Sequence, residues 1–259
     1  MGGIALSHRQ WEIVNLLQSY KSMSVENLAE YFEVTTTTIR RELMQLEKCS
    51  LITRSRGYAH IVEAPTVSPF DVRCQMCAQE KLLLARHALK YLQPSDTILL
   101  DAGSTIYTFA KEISASDIPG LAVITYSIPI ASILARNCLT IITGGTVDSA
   151  TMSLVGPNAE NSLDSVVANK LFLSTTGVNS DMGLTVTSQL RLGMKRKMMS
   201  RATEVFALID STKWSSAGLN IFCKLQELDH IITIRNEKNA DCLKKLEDSG
   251  VKLDCIDMA

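Results

Sequence analysis

The chain has 259 residues, 46% of them hydrophobic and 20% charged, and a formal net charge of −1. That balance excludes a disordered chain and a globally basic nucleic-acid binder, so any DNA contact has to come from a local patch. No run of eighteen apolar residues occurs and Met1-Gly-Gly-Ile4 lacks a basic n-region, so neither a membrane span nor secretion is expected. The seven cysteines are scattered and odd in number, which fits a reducing cytoplasm better than a disulfide framework. Cys74-Gln-Met-Cys77 has the spacing of zinc and redox sites. It lacks a second pair and a suitably spaced His, so it reads as ordinary thiols, and no metal or cofactor is expected.

Ser7 to Ser19 predicts an amphipathic helix, with Trp11, Val14 and Leu17 at helical spacing and Ser7 as its cap. Ser24 opens a second helix through Phe32, with Leu28 and Phe32 four residues apart. After the short break Glu33-Val34, Thr35 caps a third helix running to Glu47. Ile39, Leu43 and Leu46 form its apolar stripe. Its other face carries Thr36, Thr37 and Thr38 and then Arg40 and Arg41. Alone, that face fits either a solvated surface or a helix reading base edges and phosphates in a major groove. A short helix, a tight turn and a helix with a polar N-terminal face together make the helix-turn-helix layout.

Two short strands follow, Leu51-Ile52 and Ala59 to Val62, around a turn at Gly57 flanked by Arg54 and Arg56. A two-stranded wing with arginines at its tip suits a DNA backbone. Residues 1–63 carry seven Lys/Arg and seven acids, so this region is neutral. Four of its seven cations nevertheless fall in the contact elements. The expected DNA-binding residues are Ser24, Thr35, Thr36, Thr37, Thr38, Arg40, Arg41, Arg54 and Arg56. Ala64 to Phe70 has two prolines among small polar residues and reads as linker.

Beyond it, Gln79 to Leu92 predicts a long helix. Strands are then expected at 97–100, 121–125, 139–143, 170–174, 204–209, 230–233 and 251–256. Helices are expected at 105–113, 128–135, 190–202 and 240–249. Short apolar strands between helices define an α/β domain with a mostly parallel sheet. The expected organisation is 1–62 DNA-binding, 63–78 linker and 79–259 effector-sensing and oligomerising.

Four strand ends carry small, polar or charged residues, where ligands of parallel sheets bind. These are Asp101-Ala-Gly-Ser-Thr105, Gly144-Gly145, Thr175-Thr-Gly177 and Asp210-Ser-Thr-Lys213. Gly103, Ser104 and Thr105 at a helix start suit an anion. Asp101 suits sugar hydroxyls or a role in holding the loop, and Lys213 suits a counter-charge; Lys195, in the basic helix cluster Lys195-Arg-Lys197, faces either solvent or the strand-end cleft. Effector-binding candidates are therefore Asp101, Gly103, Ser104, Thr105, Gly144, Gly145, Thr175, Thr176, Gly177, Lys195 and Lys213. No nucleophile elbow, Walker loop, dinucleotide fingerprint or zinc-protease motif is found, so no catalytic residue is assigned.

With these residues in place, the chain resembles the DeoR family of bacterial transcriptional regulators over nearly its whole length. The N-terminal match is Thr35, Thr38-Ile-Arg-Arg-Glu-Leu43, Leu46, Leu51-Ile52, Arg54 and Gly57. The second part matches at Ile98 to Thr105, Val123-Ile-Thr125, Gly144-Gly145, Gly156, Phe172-Leu173 and Gly177-Val178. It matches again at Gly183-Leu184, Lys195-Arg196, Met198 and Asp210 to Lys213. The resemblance implies a winged helix-turn-helix followed by an α/β sensor similar to ribose-5-phosphate isomerase and CoA-transferase folds. It implies a non-enzymatic repressor of a sugar operon, a double-stranded DNA operator, release by a phosphorylated sugar, and a homodimer or homotetramer. Four positions depart from the family pattern: Tyr126 for an Asn, Thr176 for an Asp, Arg191 for a Glu and Ile234 for an Asp. The rival readings are a sugar-phosphate isomerase fused to a winged helix, which lacks a carboxylate base at Thr176, and a regulator whose sensor only oligomerises.

Overall fold

The computed structural model describes residues 7–48, 51–62, 70–179, 183–237, 239–247 and 251–257. Cys49, the linker residues 63–69, the expected helix end at Ser249 and the Trp11 side chain lie outside the described residues. The chain divides into two compact units, Met1–Met76 and Cys77–Ala259.

In the first unit, α1 spans His8–Tyr20. Its start is held by a reciprocal capping box, in which Gln10 N donates to Ser7 Oγ and Ser7 N to Gln10 Oε1. Strand β1 (Ser22–Ser24) leads into α2 (Val25–Tyr31). α3 runs Thr36–Lys48, β2 Ile52–Ser55 and β3 Tyr58–Ile61. Ile13, Val14 and Leu17 of α1 meet Leu28 of α2, Ile39, Leu43 and Leu46 of α3, and Ile52 and Ala59 of the wing in one core. Burial of each such side chain favours folding by about 1.5–3 kcal/mol. The wing is a three-stranded antiparallel sheet in the order β1-β3-β2. Its third strand, β1, is only three residues long and has no alternation to show itself in sequence. Residues read as linker also form structure: α4 spans Phe70–Gln75, and its Val72 joins this core.

The second unit opens on α5 (Ala78–Ala88) and a 3₁₀ turn, Leu89–Tyr91. The elements that follow are β4 (Thr97–Leu100), α6 (Ser104–Ser114), β5 (Ala122–Thr125), α7 (Ile128–Leu134) and β6 (Leu139–Ile142). A hairpin, β7 (Thr146–Asp148) and β8 (Ser153–Val155), and α8 (Pro157–Asn161) lead to β9 (Ala168–Leu173). Then come β10 (Gly177–Asn179), β11 (Gly183–Val186), α9 (Gln189–Met199) and β12 (Ala202–Ile209). β13 (Asn220–Cys223), β14 (His230–Arg235), α10 (Ala240–Glu247) and β15 (Lys252–Asp257) complete the described chain.

The main sheet has the order β15-β14-β12-β9-β4-β5-β6. Every pairing in it is parallel. Alternation assigns side chains to its two faces. Ile98 and Leu100 of β4 join Phe109, Phe172 and Phe206 under α5 and α6. Leu99 joins Leu171, Leu173, Met194 and Met198 on the α9 side. A second, antiparallel sheet in the order β10-β11-β13 was not legible, because its strands are three or four residues long and broken by glycines.

The strand order creates one reversal. From β4 the chain moves outward to β5 and β6, then returns to β9 on the other side of β4 and continues to β12, β14 and β15. The chain therefore leaves the adjacent carboxyl ends of β4 and β9 toward opposite sides of the sheet order, and such a switch point is where open parallel sheets hold ligands.

Candidate functional site

On the first unit, Thr35 is exposed and its hydroxyl accepts from Thr38 N at 3.3 Å, capping α3. Thr37, Arg40 and Arg41 are exposed, while Thr36 and Thr38 are half-buried. Neither Arg40 nor Arg41 has a side-chain partner among the described residues, so both guanidinium forks are available. Arg9 is committed differently: its Nε and Nη2 grip the buried Glu42 at 2.6–3.0 Å and tie α1 to α3. Arg54 also has a partner, because its Nε and Nη2 donate to Glu47 Oε2 at 2.8 and 2.5 Å. That bridge fixes the wing to the end of α3 and occupies part of the fork expected to meet DNA. Arg56 is exposed at the wing tip with φ +44°, followed by Gly57 at φ +85°. Ser24 is buried, and its hydroxyl accepts from Asn27 N at 3.0 Å as the α2 cap. Its hydroxyl is thus occupied within the fold.

On the second unit, the switch point is organised by Asp101, directly after β4. One carboxylate oxygen accepts from Ser174 N at 2.9 Å, Ser174 Oγ at 2.5 Å and Lys195 Nζ at 2.6 Å. The other accepts from the Tyr126 hydroxyl at 2.5 Å. Asp101 thereby joins the ends of β4, β5 and β9 to α9. Burial on its own pushes the carboxyl up, but the Lys195 ammonium and the hydrogen bonds of Lys195, Ser174 and Tyr126 outweigh this and hold it below the usual carboxylate range. Burial and the Asp101 charge drive the Tyr126 phenol well above its ordinary value, so it stays a donor. Of the two roles open to Asp101 in sequence, holding the loop is the one its four donors serve.

The Lys195 ammonium also donates to Ser174 O at 2.8 Å and lies 4.8 Å from the Phe222 ring centroid. Gly103 is needed here, since a Cβ would lie 1.9 Å from Ser174 Oγ. It is also the α6 cap, so no side chain satisfies the N–H groups of that first turn. The Ser104 and Thr105 hydroxyls beside it have no partner among the described residues. Free N–H groups, two hydroxyls and a nearby ammonium can hold an anion.

The other candidates are not all gathered here. Thr175 is buried and donates to Gly177 O at 2.7 Å and Thr185 O at 2.9 Å, bracing the second sheet. Thr176 N donates to Thr185 O at 3.0 Å, and a Cβ on Gly177 would meet Ser216 O at 2.0 Å. Thr175 and Gly177 are thus committed to the fold, whereas the contacts of Thr176 are made by its backbone. Gly144 and Gly145 follow β6, two strands from β4; Gly144 N donates to Ser162 Oγ at 3.2 Å, and Gly145 sits at φ +125°. Lys213 belongs to a separate charge group, where it and Lys81 act on buried Asp210. Cys77, Glu80 and Asp210 of that group bring ligand-type atoms within 4.8 Å of one another. Burial and the Asp210 charge push the Cys77 thiol up to about 11, and the Glu80 carboxylate accepts from Ser211 N and Oγ at 2.8 and 2.7 Å.

Three residues of the switch point were not among the expected site. Ser174 carried no motif, and only the adjacency of β4 and β9 reveals it. Tyr126 and Arg191 were visible in sequence only as departures. Both are buried, and the Arg191 charge acts on the Tyr126 phenol and the Lys195 ammonium. Ile234 is a correction: it lies in the core on the α5 side, so an acid missing there is not an acid missing from this site.

A winged helix-turn-helix with free arginines on α3, followed by an α/β unit with an anion-competent switch point, defines a DNA-binding transcriptional regulator with a sensor. Residues 9–64 match the DeoR-like helix-turn-helix domain and residues 76–235 the DeoR C-terminal sensor domain. The chain belongs to the DeoR family of transcriptional regulators. It is 33% identical over 98% of both chains to the uncharacterized HTH-type transcriptional regulator YulB of Bacillus subtilis. It is 30% identical to the transcriptional repressor GlcR of the same organism, over 93% of each chain. It is also 30% identical to the L-fucose operon activator of Escherichia coli, over 87% of this chain and 93% of that one. Among solved structures, ribose 5-phosphate isomerase A of Methanocaldococcus jannaschii shares 17% identity and a TM-score of 0.39, over 52% of this chain and 53% of its own. Among the described residues, no helix is long and apolar enough to cross a membrane.

Proposed function

We propose that this regulator is a cytoplasmic repressor of a sugar-catabolic operon, released from its operator by a phosphorylated sugar bound at the β4–β9 switch point. The observation that carries the effector reading is the uncapped first turn of α6, with the Ser104 and Thr105 hydroxyls beside the buried Asp101–Lys195 pair. Phosphate suits the N–H groups and dipole of that helix start. A relative named as an L-fucose operon activator supports a sugar-linked signal. For the effector to act, it must bind one arrangement of the chain more tightly than another.

The reading includes a homo-oligomer, since α3 sits in a charge-neutral region and gains affinity from paired half-sites. Leu139, Ile141 and Ile142 are exposed along β6, an edge strand, and Val147 of the next hairpin is 56% exposed. We assign the contact between copies to this apolar edge. If Leu139→Lys with Ile141→Lys gives a particle of unchanged mass by light scattering, the assignment is wrong.

Genome-wide footprinting of the tagged chain identifies the operator and its neighbouring genes. Thermal-shift measurement with phosphorylated sugars then tests the sensor: a ligand at 100 times its Kd stabilises by about 2.7 kcal/mol. A melting curve that no phosphorylated sugar moves would favour a sensor that only oligomerises.

A further inference from the structure

Arg191 stands in the first turn of α9, three residues after the Ser188 cap. A cation is unfavourable there, because the helix dipole already places positive potential at its start. The side chain is also 6% exposed. Its Nε is buried without a hydrogen-bond partner, and among the described residues its Nη2 makes only a long contact of 3.3 Å to Thr187 Oγ1. No carboxylate pairs with it among the described residues. The carboxylate of the switch point, Asp101, is already paired with Lys195 and accepts from Ser174 and Tyr126. A buried, unpaired guanidinium at a helix N-terminus is costly unless an anion completes it.

The phosphate site proposed above does not use this group, since the uncapped N–H groups and hydroxyls lie on α6. We infer that the effector carries a second anionic group, a carboxylate or another phosphate, held by the Arg191 fork and the first turn of α9. The inference rests on the β4–β9 reading. Guanidinium forks match the paired oxygens of both groups, and such bonds are the strong ones. A sugar phosphate with no second anionic group would leave the fork unmatched.

The test uses the full chain and two matched pairs of probes: glucose 6-phosphate with 6-phosphogluconate, and fructose 6-phosphate with fructose 1,6-bisphosphate. Affinities are read by calorimetry for the native chain and for Arg191→Gln. In at least one pair, the member with two anionic groups is expected to bind the native chain about tenfold tighter or more, and Arg191→Gln to erase that preference. Preference within the first pair points to a carboxylate, and within the second to a further phosphate. Equal affinities within both pairs, or a preference that survives in Arg191→Gln, overturn the inference and leave the phosphate site standing. If no probe binds, the site reading falls and the inference with it. The ligand-free variant gives an independent check. Removing an unpaired buried charge should leave the melting temperature equal or higher, whereas a clear drop would make Arg191 a structural strut.

Discussion

Lys195 Nζ lies 2.6 Å from Asp101 Oδ2, and the two side chains are 3% and 1% exposed. This pair joins α9 to the end of β4 and sits where the strand order reverses. A buried ion pair is not in itself strongly stabilising, but removing one member leaves the other charged and without water. Lys195→Met should therefore destabilise the sensor unit by roughly 3–5 kcal/mol. Urea denaturation followed by circular dichroism measures this. Adding Asp101→Leu to the same chain should recover part of the loss, and a double variant no better than the single one would contradict the account.

Acid sensitivity should follow from the same carboxylate. The folded Asp101 pKa is held below its unfolded value of about 3.9, so the unfolded chain takes up the proton first. Its contribution to stability is complete above about pH 5 and is lost as pH falls through the unfolded value and then the lower folded value. Between about pH 5 and pH 3, the native chain should lose stability more steeply than Asp101→Asn. Parallel curves for the two chains would show that this group does not titrate as described.

Arg40 and Arg9 separate contact from support on the DNA-binding unit. Arg40→Ala should weaken operator binding by about 1–3 kcal/mol and relax preference at one base position, as measured by anisotropy on an operator mutation series. A loss uniform across sequences would instead make Arg40 a phosphate contact. Arg9→Ala removes the grip on Glu42 and should lower the melting temperature without changing base preference.

Gly103→Ala should disturb the switch point, because the added methyl falls 1.9 Å from Ser174 Oγ and 2.6 Å from Ser174 Cβ. Overpacking of this kind costs about 1–3 kcal/mol. Ser174→Gly in the same chain makes room and should restore part of the melting temperature. A neutral single variant would mean that the β4 and β9 ends move apart freely.

Much of the architecture was legible because its periodicities are strong. The stripe Ile39, Leu43 and Leu46 marked α3, and short apolar runs marked all the strands of the parallel sheet. What stayed hidden depends on strand order or on very short elements. Ser174 meets Asp101 only because β9 returns beside β4, which no local pattern encodes. Thr175 and Gly177 looked like a ligand turn but serve the small second sheet, whose strands are too short to read. Arg54 looked like a free wing arginine until the fold brought Glu47 to it. The departures at Tyr126 and Arg191 were visible residue by residue, but only the structure shows that the Tyr126 hydroxyl bonds the buried Asp101 carboxylate and that the Arg191 charge acts on Tyr126 and Lys195.

A phosphorylated sugar at the β4–β9 switch point is proposed above to control binding of DNA by the first unit. The direct measurement is the affinity of the full chain for its footprinted operator, by fluorescence anisotropy, across a titration of phosphorylated sugars and their unphosphorylated forms. At least one phosphorylated sugar should weaken operator binding by about tenfold or more, within the usual range of allosteric coupling, while its unphosphorylated form leaves it unchanged. Operator affinity that no phosphorylated sugar alters, or that the unphosphorylated form alters equally, would contradict the account.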